Sequence, residues 1–296
     1  MKSNLVLGTW QFGGSFGYWE DQEKDKSKAV IKAALRCGIT TFDTAYSYLN
    51  TETLLSSLLP MDVKIYTKVQ PIPSFEKKFK TSLLRLKRDN IDTLFIHWPT
   101  DDRPLLDETI KTLFRLKEEG LINNVGYSNF PLSYLKELPY PDKIERATSL
   151  LWTQDLRETQ EWCKANKVAL VGYSPLSMGL LSGKYKRRED LNDKRQNLYI
   201  FDHLKEFNTL LTAIEKLAKE RECSMSRISL SWAIKQCDEV VFGARDINTL
   251  LEDIEPLELK KEELDTLYKA SDVIASIASS DNMLSHNWRI NDGQNA

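Results

Sequence analysis

The feature that most limits the fold of this chain is a regular alternation of short apolar runs with longer amphipathic stretches. Eight runs rich in Val, Ile, Leu and Phe have the length and composition of buried strands. In chain order they are NLVLGTW, TTFDTA, KIYTKV, DTLFIHW, NNVGYSN, RATSLLW, ALVGYSP and EVVFGA. Helical patterns such as KDKSKAVIKAALRCG and LDETIKTLFRLKEEG separate them. Strict βα alternation predicts parallel strands with the helices outside.

Eight such units in 296 residues are typical of a closed (β/α)8 barrel, the TIM barrel. An open, doubly wound sheet is the alternative. We expect residues 1–296 to form a single barrel domain, with extra helices in a C-terminal extension of about 260–296. A long charged loop at about 184–203 is predicted to be a functional lid, because irregular segments of this length in compact domains are often functional. A mobile surface loop is the alternative there.

Composition excludes several classes of partner. The net charge of −2, with acids and bases interspersed, lacks the basic face of a nucleic-acid-binding protein. No segment approaches the roughly 20 apolar residues of a membrane span, and the N-terminal apolar run is too short for a signal peptide. The four cysteines are widely spaced, without a zinc-binding pattern, so we expect no metal. These features predict a cytoplasmic protein, either a monomer or a weak homo-oligomer.

Polar side chains follow three neighbouring strands of the predicted barrel. Asp43 ends the second strand, Lys68 the third and His97 the fourth, and Tyr48 lies in the loop after Asp43. The separations of 25 and 29 residues between the strand-end groups each equal about one βα unit. Because the C-terminal ends of barrel strands share one mouth, we expect these four side chains to converge there. Taken singly, each of these residues could be explained as a packing residue, a helix cap or a solvated strand end.

The segments that carry these residues, FDTAYSY, YTKV and FIHWP, resemble the signature segments of the aldo-keto reductase superfamily. The resemblance extends in order to LGTWQFGG, VGYSNF, GYSPLSMGLLSGKY and FGAR, and so covers nearly the whole chain. It implies an NAD(P)H-dependent oxidoreductase that reduces an aldehyde, ketone or sugar carbonyl to the alcohol by hydride transfer. It also places the catalytic tyrosine five residues after the aspartate, which selects Tyr48 over Tyr46.

The four polar residues suit this chemistry. Negative charge develops on the carbonyl oxygen during reduction, so the site needs a proton donor and electrostatic support. Tyr48 is the expected general acid, and the ammonium of Lys68 would lower its pKa. Asp43 would pair with Lys68, and His97 would orient the carbonyl oxygen. The resemblance implies the same roles.

The resemblance also implies a nicotinamide cofactor across the barrel mouth, with NADPH as the expected form and NADH as the alternative. Ser128 and Asn129 would bind the carboxamide, and Tyr173 would stack on the ring. The remaining implied cofactor contacts are Gly8, Thr9, Trp10, Ser174, Leu176, Gly179, Leu180, Gly243 and Arg245. Arg245 is suited to a 2′-phosphate.

Three residues depart from the family pattern. Glu145 aligns with a position at which the family usually has glutamine, near the carboxamide. Asp246 and Asp253 replace uncharged residues at the adenosine end, where two acids would weaken the attraction for a 2′-phosphate. Because of these two acidic residues, NADH remains an alternative to NADPH as the cofactor.

Aromatic residues surround the predicted mouth and favour a small carbonyl substrate. The predicted pocket residues are Trp10, Trp19, Tyr46, Trp98 and Phe130, although Trp10 and Trp98 could equally be packing residues and Tyr46 either lines the pocket or packs. Two other functions use the same residues. One is NAD-dependent dehydrogenation of a sugar or alcohol, and the other is a cofactor-binding regulatory subunit with incidental turnover. The pattern does not identify the substrate.

Overall fold

The computed structural model describes residues 4–14 and 21–275, and in these residues eight parallel strands close into a barrel. The strands are β1 (Leu5–Gly8), β2 (Thr41–Asp43), β3 (Lys64–Val69), β4 (Ile91–Ile96), β5 (Ile122–Ser128), β6 (Lys143–Ala147), β7 (Ala169–Tyr173) and β8 (Glu239–Phe242). Each strand pairs with the next in the chain, and β8 pairs with β1. The predicted (β/α)8 barrel is therefore confirmed.

Ten helices accompany the strands in the described part of the chain. They are α1 (Lys24–Arg36), α2 (Thr51–Ser56), α3 (Phe75–Leu86), α4 (Arg103–Glu118), α5 (Leu132–Glu137), α6 (Leu156–Asn166), α7 (Leu204–Glu220), α8 (Met225–Gln236), α9 (Ile247–Asp253) and α10 (Lys261–Ala275). Their apolar sides pack on the outer face of the strands and form the larger of two cores. None of these helices has both the length and the apolar character that crossing a membrane would require.

The sixth strand lies earlier than the apolar run RATSLLW predicts. The structure forms β6 from KIERA, and the chain turns directly after it at Ser149, whose backbone bridges to Trp152. Leu150, Leu151 and Trp152 are buried, but they pack outside the strand. The prediction failed because the inward positions of β6 are charged, so the real strand has no continuous apolar run.

Inward-facing side chains form three levels along the barrel axis, since residues two apart on a strand face the same side. At the N-terminal end of the strands, Lys143 Nζ lies 2.7 Å from Glu239 Oε2, and both bind the hydroxyl of Tyr66. We call this the lower ionic cluster. Above it lies an apolar level formed by Val6, Tyr66, Phe95, Val171 and Val241. The third level is polar and faces the mouth.

Phe95 fills the apolar level because β5 carries no side chain at the facing position. A Cβ on Gly126 would lie 2.3 Å from Cδ1 of Phe95, which no real contact allows. The register pairs these two residues directly. The glycine therefore makes room for the phenyl ring in the barrel interior.

The long loop at 184–203 contains three short 3-10 turns, Arg188–Asp190, Lys194–Asn197 and Tyr199–Asp202. Arg195 is the anchor of this loop, and its guanidinium donates to Asp193 and to the carbonyl oxygen of Met178. Of the predicted C-terminal extension, the structure describes α10, which packs against α7, and the rest lies outside the described residues.

Candidate active site

Three of the four predicted catalytic residues stand at the polar level of the barrel, one on each of three neighbouring strands or strand ends. Asp43 is two residues above Thr41 on β2, Lys68 two above Tyr66 on β3, and His97 two above Phe95 at the end of β4. The backbone N–H of His97 donates to Val69 O at 3.0 Å, which fixes the strand end. The predicted register is therefore the observed one.

The ammonium of Lys68 is held by an oxygen cluster inside the barrel. Its Nζ donates to Oδ2 of Asp43 at 2.5 Å and to the carbonyl oxygen of Thr44 at 3.1 Å. Burial opposes the charge on Lys68, but the carboxylates of Asp43 and Glu145 outweigh it and raise the pKa of Lys68 above its ordinary value. Burial raises the pKa of Asp43 as well. Because the two groups are in direct contact, the proton stays on Lys68 and the pair is ionic.

Glu145 is the second carboxyl on the same lysine. It lies on β6 opposite Ser128 of β5, and its Oε2 is 3.4 Å from Lys68 Nζ. Only 3% of the residue is exposed. Burial, followed by the neighbouring Asp43 carboxylate, raises the pKa of Glu145 to about 8, against the opposing effect of Lys68. Glu145 therefore carries a proton at neutral pH and can lose it in mildly alkaline solution.

Tyr48 and His97 face each other beside Lys68. Their ring centroids are 5.9 Å apart and nearly perpendicular, and Lys68 Nζ lies 5.8 Å from the centroid of the Tyr48 ring. Burial, with the Lys68 ammonium as the second cause, holds the pKa of His97 well below its ordinary value. The imidazole is therefore neutral near pH 7, and it can take part in a hydrogen bond without adding charge to the site.

A cavity of about 630 Å³ opens above this group and is lined by all four residues. Most residues predicted to contact a cofactor also line it. They are Gly8, Thr9, Trp10, Ser128, Asn129, Tyr173, Ser174, Leu176, Gly179, Gly243 and Arg245. Leu180 is the exception, since it is fully buried in the outer core and does not line the cavity.

Asn129 and Tyr173 form one hydrogen-bonded wall of the cavity. The Tyr173 hydroxyl donates to Asn129 Oδ1 at 2.6 Å, and Asn129 Nδ2 donates to the carbonyl oxygen of His97 and to Ser128 Oγ, both at 3.0 Å. Asn129 adopts a left-handed backbone conformation with φ of 65°, which aims its side chain across the strand ends. The wall ties the ends of β4, β5 and β7 together.

The chain after β7 forms a turn rich in left-handed residues. Ser174, Ser177, Met178 and Gly179 all have positive φ. Successive left-handed residues can aim backbone N–H groups toward one side and favour anions. In this turn the N–H groups of Ser177 and Gly179 already donate to the carbonyl oxygens of Ser174 and Leu176. Arg195 reaches this turn from the long loop, and its Nη1 donates to Met178 O at 2.9 Å.

Sequence reasoning missed Arg195 and Lys184 as cavity-lining residues. The loop carries many charged side chains, and no spacing within it separates these two from Arg187 or Lys186. The one available signal was the position of the loop after β7, which places it at the barrel mouth.

The predicted substrate residues divide into three groups. Trp10 and Trp98 line the cavity. Tyr46 lies outside it, with Lys78 Nζ 4.7 Å and Arg85 Cζ 4.5 Å from its ring centroid. Phe130 is also elsewhere, stacked on Tyr127 at 4.8 Å. Trp19 lies outside the described residues.

The cavity suits a nicotinamide cofactor on structural grounds. His97 and Glu145 line the cavity. Among the described residues, the buried His97 Nδ1 and Glu145 Oε2 accept or donate no hydrogen bond, although Glu145 Oε2 lies 3.4 Å from Lys68 Nζ. Residues of the left-handed turn and the basic residues Lys184, Arg195 and Arg245 line the same cavity. A ligand that combines a polar ring with phosphates fits a cavity lined by these groups.

Comparisons with known proteins identify the family of the chain. The model of the Aldo/keto reductase family matches residues 4–272. The chain is 27% identical to the NADH-specific methylglyoxal reductase of Escherichia coli (strain K12), covering 89% of this chain and 92% of that protein. It is 28% identical to the chloroplastic pyridoxal reductase of Arabidopsis thaliana, covering 78% and 72%.

A solved structure of a glycerol dehydrogenase from Gluconobacter oxydans has the same fold. It superposes with a TM-score of 0.78 and 26% identity, covering 92% of this chain and 91% of that one. Members of the matched family use nicotinamide cofactors. The chain therefore belongs to the aldo/keto reductase family and is an oxidoreductase that acts by carbonyl reduction.

Proposed function

We propose that this chain reduces a small aldehyde or ketone with a nicotinamide cofactor, and that Tyr48 is the general acid. One observation carries the proposal: a single cavity is lined by Asp43, Tyr48, Lys68 and His97 on one side and by Asn129 and Tyr173 on the other. A proton donor, a buried cation and a neutral imidazole thus meet beside a wall suited to a flat ring. This is the set of groups that hydride transfer to a carbonyl needs.

When bound, the reduced nicotinamide supplies a hydride. The residues of the chain orient the carbonyl group, supply the proton and stabilise the charge. His97 is neutral, and it orients the carbonyl oxygen by a hydrogen bond. Tyr48 donates its phenolic proton to that oxygen as negative charge develops there. The Lys68 ammonium, 5.8 Å from the ring centroid, stabilises the resulting phenolate. Asp43 holds Lys68 in place by the bond of 2.5 Å.

NADPH is our proposal for the preferred cofactor, and NADH is the second candidate. Arg245 and Lys184 line the cavity and would attract a 2′-phosphate. Asp246 also lines it, and hydrogen bonds from Thr249 hold the pKa of Asp246 below its ordinary value, so that it is charged. That charge opposes a 2′-phosphate, and one matched relative is named as NADH-specific.

We propose a small aldehyde or a 2-oxoaldehyde as the substrate, since Trp10 and Trp98 give the cavity apolar walls. The printed names of the methylglyoxal and pyridoxal reductases fit this class. A second candidate is the reverse reaction, oxidation of an alcohol, which the likeness to a glycerol dehydrogenase favours. In that direction the Tyr48 phenolate would accept the proton.

The experiment compares NADPH oxidation with a reactive aldehyde in the native protein, Tyr48→Phe and Tyr46→Phe, and repeats it with NADH. We expect Tyr48→Phe to lower kcat by about 10²- to 10⁴-fold while cofactor affinity changes little. Tyr46→Phe is the matched control, because its ring lies between Lys78 and Arg85 outside the cavity. Substantial turnover by Tyr48→Phe would overturn the assignment, and alcohol oxidation faster than reduction would favour the second candidate.

A further inference from the structure

One ammonium faces two carboxyl groups at the base of the cavity. Lys68 Nζ is bonded to Asp43 Oδ2, and Oε2 of Glu145 lies 3.4 Å from the same nitrogen. Lys68 and Glu145 are 2% and 3% exposed, so water screens the charges of this group weakly. We call Asp43, Lys68 and Glu145 the cavity floor.

The other titratable groups around Glu145 do not compensate its charge. Desolvation keeps His97 neutral and raises the pKa of Tyr173, so that its hydroxyl is neutral too. Ser128 on the adjacent strand does not titrate in this range. Arg146 follows Glu145 on β6 and therefore faces the outside of the barrel, where it binds Thr159 and Gln154. The net charge of the cavity floor is therefore zero when Glu145 is protonated and −1 when it is ionised.

Glu145 also lines the cavity. Its buried Oε2 contacts Lys68 Nζ at 3.4 Å but makes no hydrogen bond among the described residues. Glu145 lies on β6, between β5, which precedes Asn129, and β7, which ends at Tyr173. Asn129 and Tyr173 form the hydrogen-bonded wall of the cavity. An oxidised nicotinamide ring carries a positive charge and a reduced ring is neutral, so an ionised carboxylate at this place distinguishes the two.

We propose that Glu145 sets the charge of the cavity floor, so that loss of its proton strengthens binding of the oxidised nicotinamide relative to the reduced one. The inference rests on the proposed function, since it requires a nicotinamide in this cavity. By linkage, the oxidised ring and the proton on Glu145 compete, and each lowers the affinity for the other by the same factor. Binding of oxidised cofactor near neutral pH therefore releases a proton from Glu145 to solvent.

The test is calorimetric titration of NAD⁺ and NADH into the full chain at about pH 6.5 and about pH 9.5, which bracket the titration of Glu145 near 8. The two ligands share all groups except the nicotinamide ring, so the ratio of their affinities isolates the ring charge. We expect the ratio to shift toward NAD⁺ by about tenfold between these pH values. Titration near neutral pH in two buffers of different ionisation enthalpy should detect proton release with NAD⁺ and not with NADH.

Glu145→Gln keeps the shape of the side chain and removes the titration. In this variant the ratio of NAD⁺ affinity to NADH affinity should stay constant with pH. The release of a proton on NAD⁺ binding should disappear. Glu23→Gln is the control, because it removes an exposed carboxylate from the rim of the same cavity, and it should behave like the native protein.

A native ratio that does not change with pH, or a Glu145→Gln ratio that shifts like the native one, would overturn this inference alone. Failure of both NAD⁺ and NADH to bind, repeated with NADP⁺ and NADPH, would overturn the proposed function and this inference with it. If Glu145→Gln does not fold, the proton release of the native protein decides the question, because its absence contradicts the competition.

Discussion

Lys68 Nζ lies 2.5 Å from Asp43 Oδ2, and both side chains are buried at the mouth end of the barrel. Removing one partner of a buried ion pair leaves the other charge uncompensated. Here Glu145 stands 3.4 Å from the same nitrogen. After burial, the Asp43 carboxylate is the second cause of the raised pKa of Glu145, so loss of that carboxylate favours the ionised form of Glu145, which then becomes the counterion of Lys68. Each carboxyl therefore protects Lys68 against loss of the other.

The first prediction is that these two carboxyls are energetically coupled. Asp43→Asn and Glu145→Gln together should lower the free energy of unfolding by about 1–3 kcal/mol more than the sum of the single changes, because only the double variant leaves the ammonium without a carboxylate. Urea unfolding of the four proteins measures this coupling. If the loss of unfolding free energy in the double variant equals the sum of the two single losses to within about 0.5 kcal/mol, the two carboxyls do not share Lys68 as a partner.

The second prediction concerns stability and pH. The pKa of Glu145 is raised to about 8, so the folded state keeps a proton that the unfolded state loses above its ordinary value of 4.5. The native free energy of unfolding should therefore fall as pH rises through this window, with a slope of up to about 1.4 kcal/mol per pH unit. Glu145→Gln should reduce the slope, as measured by denaturant unfolding, whereas Glu23→Gln should keep it. An unchanged slope in Glu145→Gln would mean that the carboxyl titrates normally.

The third prediction tests the space that Gly126 leaves for Phe95. Gly126→Ala should lower the free energy of unfolding by about 1–3 kcal/mol, since a methyl group there would overlap the ring. Phe95→Leu should be destabilising alone, because it leaves a cavity, but should recover part of the loss in the double variant. Thermal unfolding of the four proteins gives the comparison. If the double variant loses as much unfolding free energy as the two single variants together, residues 95 and 126 do not share this space.

The fourth prediction tests the cofactor preference. Arg245→Leu should weaken NADPH binding by about tenfold and leave NADH binding nearly unchanged, because only NADPH has a 2′-phosphate for the guanidinium. Asp246→Ser should act in the opposite direction and improve NADPH binding. Dissociation constants from cofactor fluorescence provide the measurement. Tighter binding of NADH than of NADPH by the native protein would refute the proposed role of Arg245.

The fifth prediction concerns the loop at 184–203. Arg195 is 7% exposed and joins the loop to the turn after β7 through Met178. Arg195→Ala should increase hydrogen exchange of the loop amides and weaken cofactor binding, because the buried anchor is lost. Arg187→Ala is the control, since Arg187 lies in the same loop but is exposed and pairs only locally with Asp190. Equal exchange in both variants would argue against Arg195 as the anchor.

The positions of Asp43, Lys68 and His97 could be predicted from the sequence because the strands that carry them are apolar and evenly spaced. The repeated pattern of a buried strand followed by a polar residue predicted both the barrel fold and the level at which these three side chains lie. Tyr48 followed from the resemblance, since Tyr46 is an equally good phenol until its contacts with Lys78 and Arg85 are known.

The contacts of Glu145 and Arg195 were harder to predict from the sequence, for physical reasons. β6 has lysine and glutamate at its inward positions, so it lacks the apolar run by which strands are recognised, and the neighbouring loop residues have it instead. The pairing of Glu145 with Lys68 is a contact across the barrel between residues 77 positions apart in the chain. Arg195 reaches the cavity only through the shape of its loop, which no local sequence pattern encodes.

The apolar level of the barrel has a consequence for the movement of protons. This apolar level lies between the cavity floor and the lower ionic cluster and separates the two sets of charged groups; it consists of Val6, Phe95, Val171, Val241 and the Tyr66 ring. Lys68 and Glu145 would therefore exchange protons with solvent on the side of the mouth. A ligand that covers the mouth would slow this exchange, so the proton that an oxidised nicotinamide displaces from Glu145 would leave before or during entry of the ligand.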